Sequence, residues 1–584
     1  MVEILADLFK QSSGEEIDKV VYLTQGRVAP LFEPLEFGMA EKMVLKALSV
    51  AFGQPLEKVT AEFKKSGDLG ETAQGFRQDR RLADSGQTIT EVFNKLLEIA
   101  KSSGEGSVEK KIYSLAEILK NSDPLSARYL ARIPIDKMRL GFSDMTVLEG
   151  LSWMVDGTKK NKDEIESAYN VRPDLGFIAA QVKSQKVKIK VEPAVGIPIL
   201  VMRAERLKDA ADIVEKMGGR AAVEPKIDGL RTQLHFSRIR PMAGPAVRQP
   251  APTASSHNCG TPGARAGARL ASPANFEIKL FSRGLENVTA MYPDLVKAAI
   301  EELDGDEIIL DGEAIAFDPK TGKFLQFQET VTRKRKYDIV EKTQSAPLKL
   351  IAFDVLYYNG KSMLNEPYAS RRKLLEEITK NGKIIIANKM DVVDGPKKLK
   401  ELFDEDIKKG LEGIMAKKLD GVYQAGARGW NWIKLKSSYE GKLSDTIDAV
   451  VMGYDFGQGK RNSFGVGAFL IGVYDQKSDS YKTISKVGTG LTDEEWRQLV
   501  ASGQELVVSE KPKNYDVNKV MNCDVWLKPK LVGVFRADQI TKSPMHTAGF
   551  ALRFPRLDYW RTDKQPEDAT SLKEIEKMSK LQKS

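Results

Sequence analysis

Lysine is an uncommon nucleophile, because its amine is normally protonated with a pKa near ~10.4. In Glu224-Pro225-Lys226-Ile227-Asp228-Gly229-Leu230-Arg231 one lysine is followed directly by a tight Asp-Gly turn. Such a turn holds Lys226 at a strand end, where neighbouring cations and partial burial free an amine to attack a carbonyl or a phosphorus. Arg231 is then placed to meet a phosphate or a ribose. A surface lysine in an ordinary hairpin is the plain alternative for this string alone. Downstream, Asp311-Gly312-Glu313 follows one apolar run, and Glu412-Gly413-Ile414-Met415-Ala416-Lys417 precedes another. Carboxylates presented from strand ends suit Mg²⁺, which binds through oxygens and bridges substrate phosphates. Lys434 and Lys436 alternate with Ile433 and Leu435, so period-two spacing puts both amines on one strand face, as a phosphate clamp needs. Phe353, ahead of Asp354 in an apolar strand, is either core or a platform for a purine ring.

These groups need several elements to position them. The chain has 584 residues, long enough for about three domains. From Met1 to about Gly218 the pattern is helical: Ala40–Phe52 and Thr90–Ala100 carry apolar residues at three- and four-residue spacing. Within it Arg128, Arg132, Lys137 and Arg139 cluster near a Gly141 turn, where cations and backbone N–H groups can meet phosphates. A solvated helix surface is the other reading of that cluster. From 219 to 438 short β runs alternate with helical stretches such as Arg371–Lys380, which reads as an α+β domain on antiparallel sheets. Ser437–Gly441 looks like a hinge. Beyond it, from 439 to 584, strands with Gly-rich turns suit a small β-barrel, with a charged tail after Thr570. Arg238 to Asn275 does not belong: it holds five Arg and no Lys, Asp or Glu, and cannot repay its ordering entropy by burial.

Composition excludes other classes. Cys259 and Cys523 are the only cysteines, too few for a four-cysteine zinc site or a disulfide framework, which points to a reducing compartment. No apolar run approaches the ~18–20 residues that span a membrane, and Met1 to Lys10 does not resemble a secretory signal. The net charge of +9 is poor support for a polyanionic partner, since removing the five arginines of Arg238–Asn275 leaves +4.

Lys226-x-Asp228-Gly229-x-Arg231, Asp311-Gly312-Glu313, Phe353-Asp354, Glu412-Gly413 and Lys434-x-Lys436 stand in the order of the covalent nucleotidyltransferase motifs. Leu552–Arg556 followed by Arg561-Thr562-Asp563-Lys564 resembles the ATP-dependent DNA ligases of archaea and of the eukaryotic replicative type. Phe281-Ser282-Arg283 and Tyr423–Trp430 strengthen that likeness, and Asp136–Phe142 is similar to their helical DNA-binding domain. The resemblance implies three domains: an all-α DNA-binding domain over 1–218, an α+β adenylation domain over 219–438 and an OB-fold barrel over 439–584. It implies that Lys226 takes AMP from ATP, passes it to the 5′-phosphate of a nick, and lets the 3′-hydroxyl seal the strand. By the same resemblance Glu224 and Phe353 hold adenine, with Met415 on its other face. Arg231, Arg283 and Glu313 engage the ribose or phosphates, and Arg428, Lys434 and Lys436 the phosphates. Glu313 and Glu412 ligate Mg²⁺ or Mn²⁺, Arg561 and Lys564 orient the leaving pyrophosphate, and Arg139 and Gly141 meet DNA. The implied partners are nicked duplex DNA and a sliding clamp. The expected state is a monomer in the cytoplasm, or in the nucleus of a eukaryote, with no membrane. An RNA ligase or a GTP-using capping enzyme shares the lysine chemistry and is the runner-up. A bacterial NAD-dependent ligase is disfavoured, because two cysteines cannot supply its zinc module.

Overall fold

The computed structural model describes residues 1–78, 87–185, 189–238, 275–325, 327–333, 339–436, 446–456, 466–488 and 504–581. The anomalous stretch between Arg238 and Asn275, apart from those two residues, and the expected hinge Ser437–Gly441 lie outside them. The chain divides into two units, Met1–Met138 with Asp144–Leu435, and Arg139–Ser143 with Lys436–Ser584.

The first unit opens with helices. Glu41–Phe52 buries Val44, Leu45, Leu48, Ala51 and Phe52, the stripe its spacing predicts, and stops at Gly53 in the left-handed region (φ 58°). Ile89–Lys101 starts from a capping box in which Thr88 and Glu91 satisfy each other's backbone N–H. The basic cluster beside Gly141 is largely spoken for. Arg132 is buried and grips Asp68 through two bonds of 2.7 and 3.0 Å, Arg128 pairs with Glu71 at 3.2 Å, and Lys137 pairs with Glu41 at 2.9 Å. Arg132 therefore braces helices together.

Two sheets follow. Strands β1 (Arg203–Arg206), β2 (Ala221–Pro225), β3 (Leu230–Arg238), β4 (Phe276–Ser282), β5 (Glu307–Ala316), β6 (Leu348–Tyr358), β7 (Lys361–Ser362), β8 (Ile385–Ala387), β9 (Asp391–Val393), β10 (Gly413–Lys417) and β11 (Arg428–Lys436) form them. One runs β1-β11-β10-β2-β9. The other runs β4-β3-β5-β6-β7, with β8 also on β6. The expected antiparallel pairing holds for β2 with β9 and β10, for β3 with β4 and β5, and for β6 with β5 and β7, whereas β1 with β11 and β6 with β8 are parallel. Both exceptions join strands separated by long connections, the β6–β8 one carrying helix Tyr368–Thr379, as parallel pairing requires. Because β1 is already part of this sheet, the sheet begins before residue 219.

Leu234, Leu280, Leu310, Leu350 and Val355 pack on one face of the six-stranded sheet with Leu295 and Leu375 from covering helices. On the other side Ile309, Leu356, Tyr423 and Trp432 form a second core, with Phe353 and Met415 at its margin. Alternation along β6 puts Phe353 on that side, since Leu350 and Ala352 line the first core. A β-bulge beside it, where Asp311 faces Asp354 but Gly312 faces Ala352, leaves Phe353 without an opposite residue. Gly312 is required at that step, since a Cβ would lie 2.9 Å from the Ile351 carbonyl oxygen.

In the second unit β12 (Ile447–Phe456), β13 (Val466–Asp475), β14 (Ser480–Val487), β15 (Val507–Val508), β16 (Tyr515–Asp516), β17 (Val525–Leu527), β18 (Val532–Arg536) and β21 (Arg556–Trp560) make one curled sheet. A separate pair joins β19 (Gln539–Lys542) to β20 (Phe550–Arg553). Ile447, Val451, Phe469, Ile471, Ile484 and Phe535 fill its interior. This half-barrel is the expected OB-type domain, and the charged tail forms helix Leu572–Leu581. Among the described residues no helix is long and apolar enough to cross a membrane.

Candidate active site

Lys226 follows the last residue of β2. Its backbone N–H donates to the Gly413 carbonyl at 2.9 Å, and antiparallel pairing sets Glu224 opposite Met415 and Pro225 opposite Ile414. Two motifs far apart in the sequence are thus fused by one ladder. The Lys226 Nζ lies 2.7 Å from Glu412 Oε2, with both side chains only partly exposed (21% and 16%). Gly229 lets β3 turn back under β5, since a Cβ there would stand 2.5 Å from the Ala314 carbonyl oxygen.

Asp311 and Glu313 do not sit at a strand end, as the sequence led us to expect. β5 runs on through both, because the glycine and the bulge let β6 follow it. The two carboxylates separate in role. Asp311 is fully buried and takes Arg231 through bonds of 3.1 and 2.7 Å and the Tyr423 hydroxyl at 2.7 Å. Glu313 stands opposite Arg231 in register, and burial pushes its carboxyl up to about 7 against the pull of Lys226 and Arg231.

Arg231, expected on ribose or phosphate, is committed inside the protein. Besides Asp311 it donates to the Met202 carbonyl at 2.7 Å, and its guanidinium lies 5.4 and 5.5 Å from the centroids of the Phe353 and Trp432 rings. It is a strut under the aromatic wall.

Glu224 is buried, and its carboxylate accepts from the Tyr368 hydroxyl, from Lys417 Nζ at 2.9 Å and from Asn388 Nδ2 at 3.2 Å. Lys417 Nζ also donates to the Phe353 carbonyl at 2.7 Å. Phe353 meets Trp432 edge to face at 5.8 Å, and Met415 is half-buried against the same cluster. Lys226, Glu412, Glu313, Arg231, Glu224, Phe353 and Met415 are therefore brought together.

The other expected residues sit on several elements. Arg283 sits in the exposed turn after β4, Arg428 is exposed at the start of β11 opposite Arg203, and Lys434 is half-buried opposite Arg206. Lys436 belongs to the second unit, where its Nζ lies 5.9 Å from the Phe554 ring centroid. Arg561 and Lys564, also in that unit, both reach Asp448, at 3.3 and 2.6 Å, and Arg561 pairs with Asp563 at 2.8 Å. Arg139 and Gly141 both take left-handed backbone (φ 58° and 72°) and are exposed.

Sequence reasoning missed Lys417, Tyr368, Asn388, Tyr423 and Asp448. A signal existed for Lys417: period two from Met415 puts it on the same strand face. Nothing local marks Asn388 or Asp448, which matter only once distant strands pair.

Three family models match: DNA ligase N terminus over residues 1–152, ATP dependent DNA ligase domain over 262–436, and ATP dependent DNA ligase C terminal region over 462–564. A probable DNA ligase of Dictyoglomus turgidum is 43% identical across the whole chain and 94% of its own length. The DNA ligase of Pyrobaculum arsenaticum is 37% identical across the whole chain and 95% of its own length. Among solved structures, mycobacterial DNA ligase D complexed with ATP and MES aligns over 64% of this chain and 98% of its own, at 24% identity and a TM-score of 0.31. Whole-length identity at this level, with matches to all three parts of one enzyme, places the chain in the ATP-dependent DNA ligase family, whose members seal nicks in duplex DNA.

Proposed function

We propose that this ligase works through Lys226. Its neutral amine attacks the α-phosphorus of ATP; a P–N bond forms, the bond to the β-phosphate oxygen breaks, and pyrophosphate leaves. The AMP then moves to the 5′-phosphate of a nick. The 3′-hydroxyl attacks that phosphate, the phosphodiester forms, and AMP departs. The observation that carries this reading is the ladder between β2 and β10, which sets Lys226 beside Glu412 at the end of the Glu224–Phe353–Met415 cluster. Before attack the ammonium must lose a proton, and Glu412, at 2.7 Å, is the acceptor at hand.

In this assignment adenine lies between Phe353 and Met415, with Glu224 accepting from its exocyclic amine. Arg283, Arg428, Lys434 and Lys436 serve the triphosphate. Arg561 and Lys564, anchored on Asp448, act on the departing pyrophosphate. Glu313 and Glu412 fit Mg²⁺ or Mn²⁺: the half-buried Glu313 carboxyl, pushed up to about 7, is one whose charge the protein leaves short of compensation. When bound, the metal neutralises phosphate charge. Arg139 and the backbone at Gly141 meet DNA phosphates, and a sliding clamp is the proposed protein partner of a monomeric enzyme.

The test is transfer of label from α-labelled ATP to the protein with Mg²⁺, followed by sealing of a nicked duplex. Chelation with EDTA is expected to stop both. Label taken from GTP instead, or sealing without a protein–AMP adduct, would overturn the assignment.

Glu313 also gives a pH dependence. Its carboxyl rises from an ordinary 4.5 to about 7 in the folded chain, so the folded state holds a proton that the unfolded state releases. Stability of the metal-free protein therefore falls as pH climbs from 4.5 to 7, and the whole penalty is present above 7. Glu313→Gln should remove it, stabilising the metal-free protein by roughly 2–3 kcal/mol at pH 8 and by little at pH 4.5. Thermal melts at the two pH values read the difference; equal shifts at both would count against the burial argument.

A further inference from the structure

The base-reading carboxylate is held by a lysine that none of the assigned roles includes. Lys417 is 1% exposed, and its ammonium lies 2.9 Å from Glu224 Oε1 and 2.7 Å from the Phe353 carbonyl oxygen. It stands within 4.6–4.9 Å of the centroids of Trp432, Tyr368 and Phe353, an aromatic cage that fixes it. Burial pulls the amine below its ordinary value, and the Glu224 carboxylate opposes that pull. The donors are unevenly shared. Glu224 Oε1 takes both Lys417 and the Tyr368 hydroxyl, whereas Oε2 takes Asn388 Nδ2 at 3.2 Å. An ionised carboxylate offers about two lone pairs on each oxygen, so Oε1 is saturated and Oε2 retains an acceptor site.

We propose that Lys417 is a specificity-determining positioning residue, which locks Glu224 as an acceptor-only carboxylate so that the site takes a 6-aminopurine and rejects a 6-oxopurine. This rests on the reading of Glu224 as the adenine contact. The chemistry is one of donor and acceptor sign. A carboxylate pinned by an ammonium accepts from the amine of adenine but meets the carbonyl of hypoxanthine or guanine acceptor to acceptor. Without Lys417 the nearest cation is the Arg372 guanidinium, 3.8 Å from Oε1 and beyond hydrogen-bond reach, so the buried carboxyl more readily takes up a proton, gains a donor, and can pair with the 6-oxo group. The same ammonium holds the Phe353 carbonyl, so the wall that stacks the base and the group that reads it share one anchor.

The experiment measures protein–nucleotide formation from α-labelled ATP and ITP, with kcat and KM separately, for the full-length enzyme and for Lys417→Met, Lys417→Arg, Glu224→Gln and the charge-balanced double variant Glu224→Gln/Lys417→Met. Lys417→Met is expected to lower the ATP-to-ITP ratio of kcat/KM by about tenfold or more, mainly through KM, and Lys417→Arg to restore part of it. The double variant, which leaves no buried charge unpaired, should fold and still show the reduced preference. If Lys417→Met and the double variant both keep the native ratio, the proposal is overturned, whatever their absolute rates. If Glu224→Gln also leaves the ratio unchanged, Glu224 does not read the base, and the underlying assignment fails as well. A changed ratio in Glu224→Gln with a native one in Lys417→Met overturns the role of Lys417 alone.

Discussion

Lys226→Ala is expected to lose protein labelling from ATP altogether and to seal an ordinary nick at least about 10⁴-fold more slowly. No other described amine shares the position: the residue is fixed by the carbonyl of Gly413, the first residue of β10, on its backbone and by the preceding Glu412 on its side chain. Lys226→Arg should fail as completely, since a guanidinium stays protonated and cannot open its nitrogen lone pair to phosphorus. Neither variant removes the proposed metal carboxylates or the proposed base pocket, so a nick that already carries AMP on its 5′-phosphate should still be closed. That dissociation is the informative outcome. Label retained in Lys226→Ala would place the nucleophile elsewhere, whereas loss of both reactions would point to a collapsed site.

The chemistry was more legible than its support. That Lys226, Glu224 and Glu412 come together could be read because the ligase motifs are short strings, and a strand carries a short string into the structure intact. Phe353 was readable as a residue, and its face follows from alternation with Leu350 and Ala352; the bulge beside it, which appears only when β5 and β6 pair, was not readable. Arg231 shows the opposite failure: the motif invites a phosphate contact, yet Asp311, 80 positions away, turns it inward. The same holds for Arg132, which reads as part of a basic DNA-facing cluster until Asp68 is seen against it. Charges are ambiguous in a sequence because their partners are chosen by topology. The fold class followed from periodicity with less trouble; the two parallel pairings escaped because a strand's direction relative to its neighbour leaves no mark on its apolar pattern.

The largest stability effect is expected at Arg371, far from any reacting atom. Arg371 and Asp354 are both fully buried and bonded twice, at 2.7 and 3.0 Å, and the guanidinium also donates to the carbonyls of Glu366 and Gly421. A pair of this kind gains little over an apolar replacement of both partners, but removing one strands a charge in the core. Arg371→Met should therefore destabilise the adenylation sheets by about 3–5 kcal/mol, and Arg371→Met with Asp354→Leu by clearly less than the two single changes combined. Calorimetric unfolding of the four proteins reads this coupling; an Arg371→Met cost near the ~0.5 kcal/mol of a surface change would sink the idea. A functional consequence follows from where the pair sits. Asp354 adjoins Phe353, and helix Tyr368–Thr379, which Arg371 ties down, carries the Tyr368 hydroxyl that donates to Glu224 and the Arg372 guanidinium 3.8 Å from it. Loosening that helix frees both walls of the proposed base pocket while leaving Lys226 on its own ladder. At temperatures where Arg371→Met remains folded, KM for ATP should thus rise several-fold with a smaller change in kcat, the reverse of the pattern expected for the nucleophile.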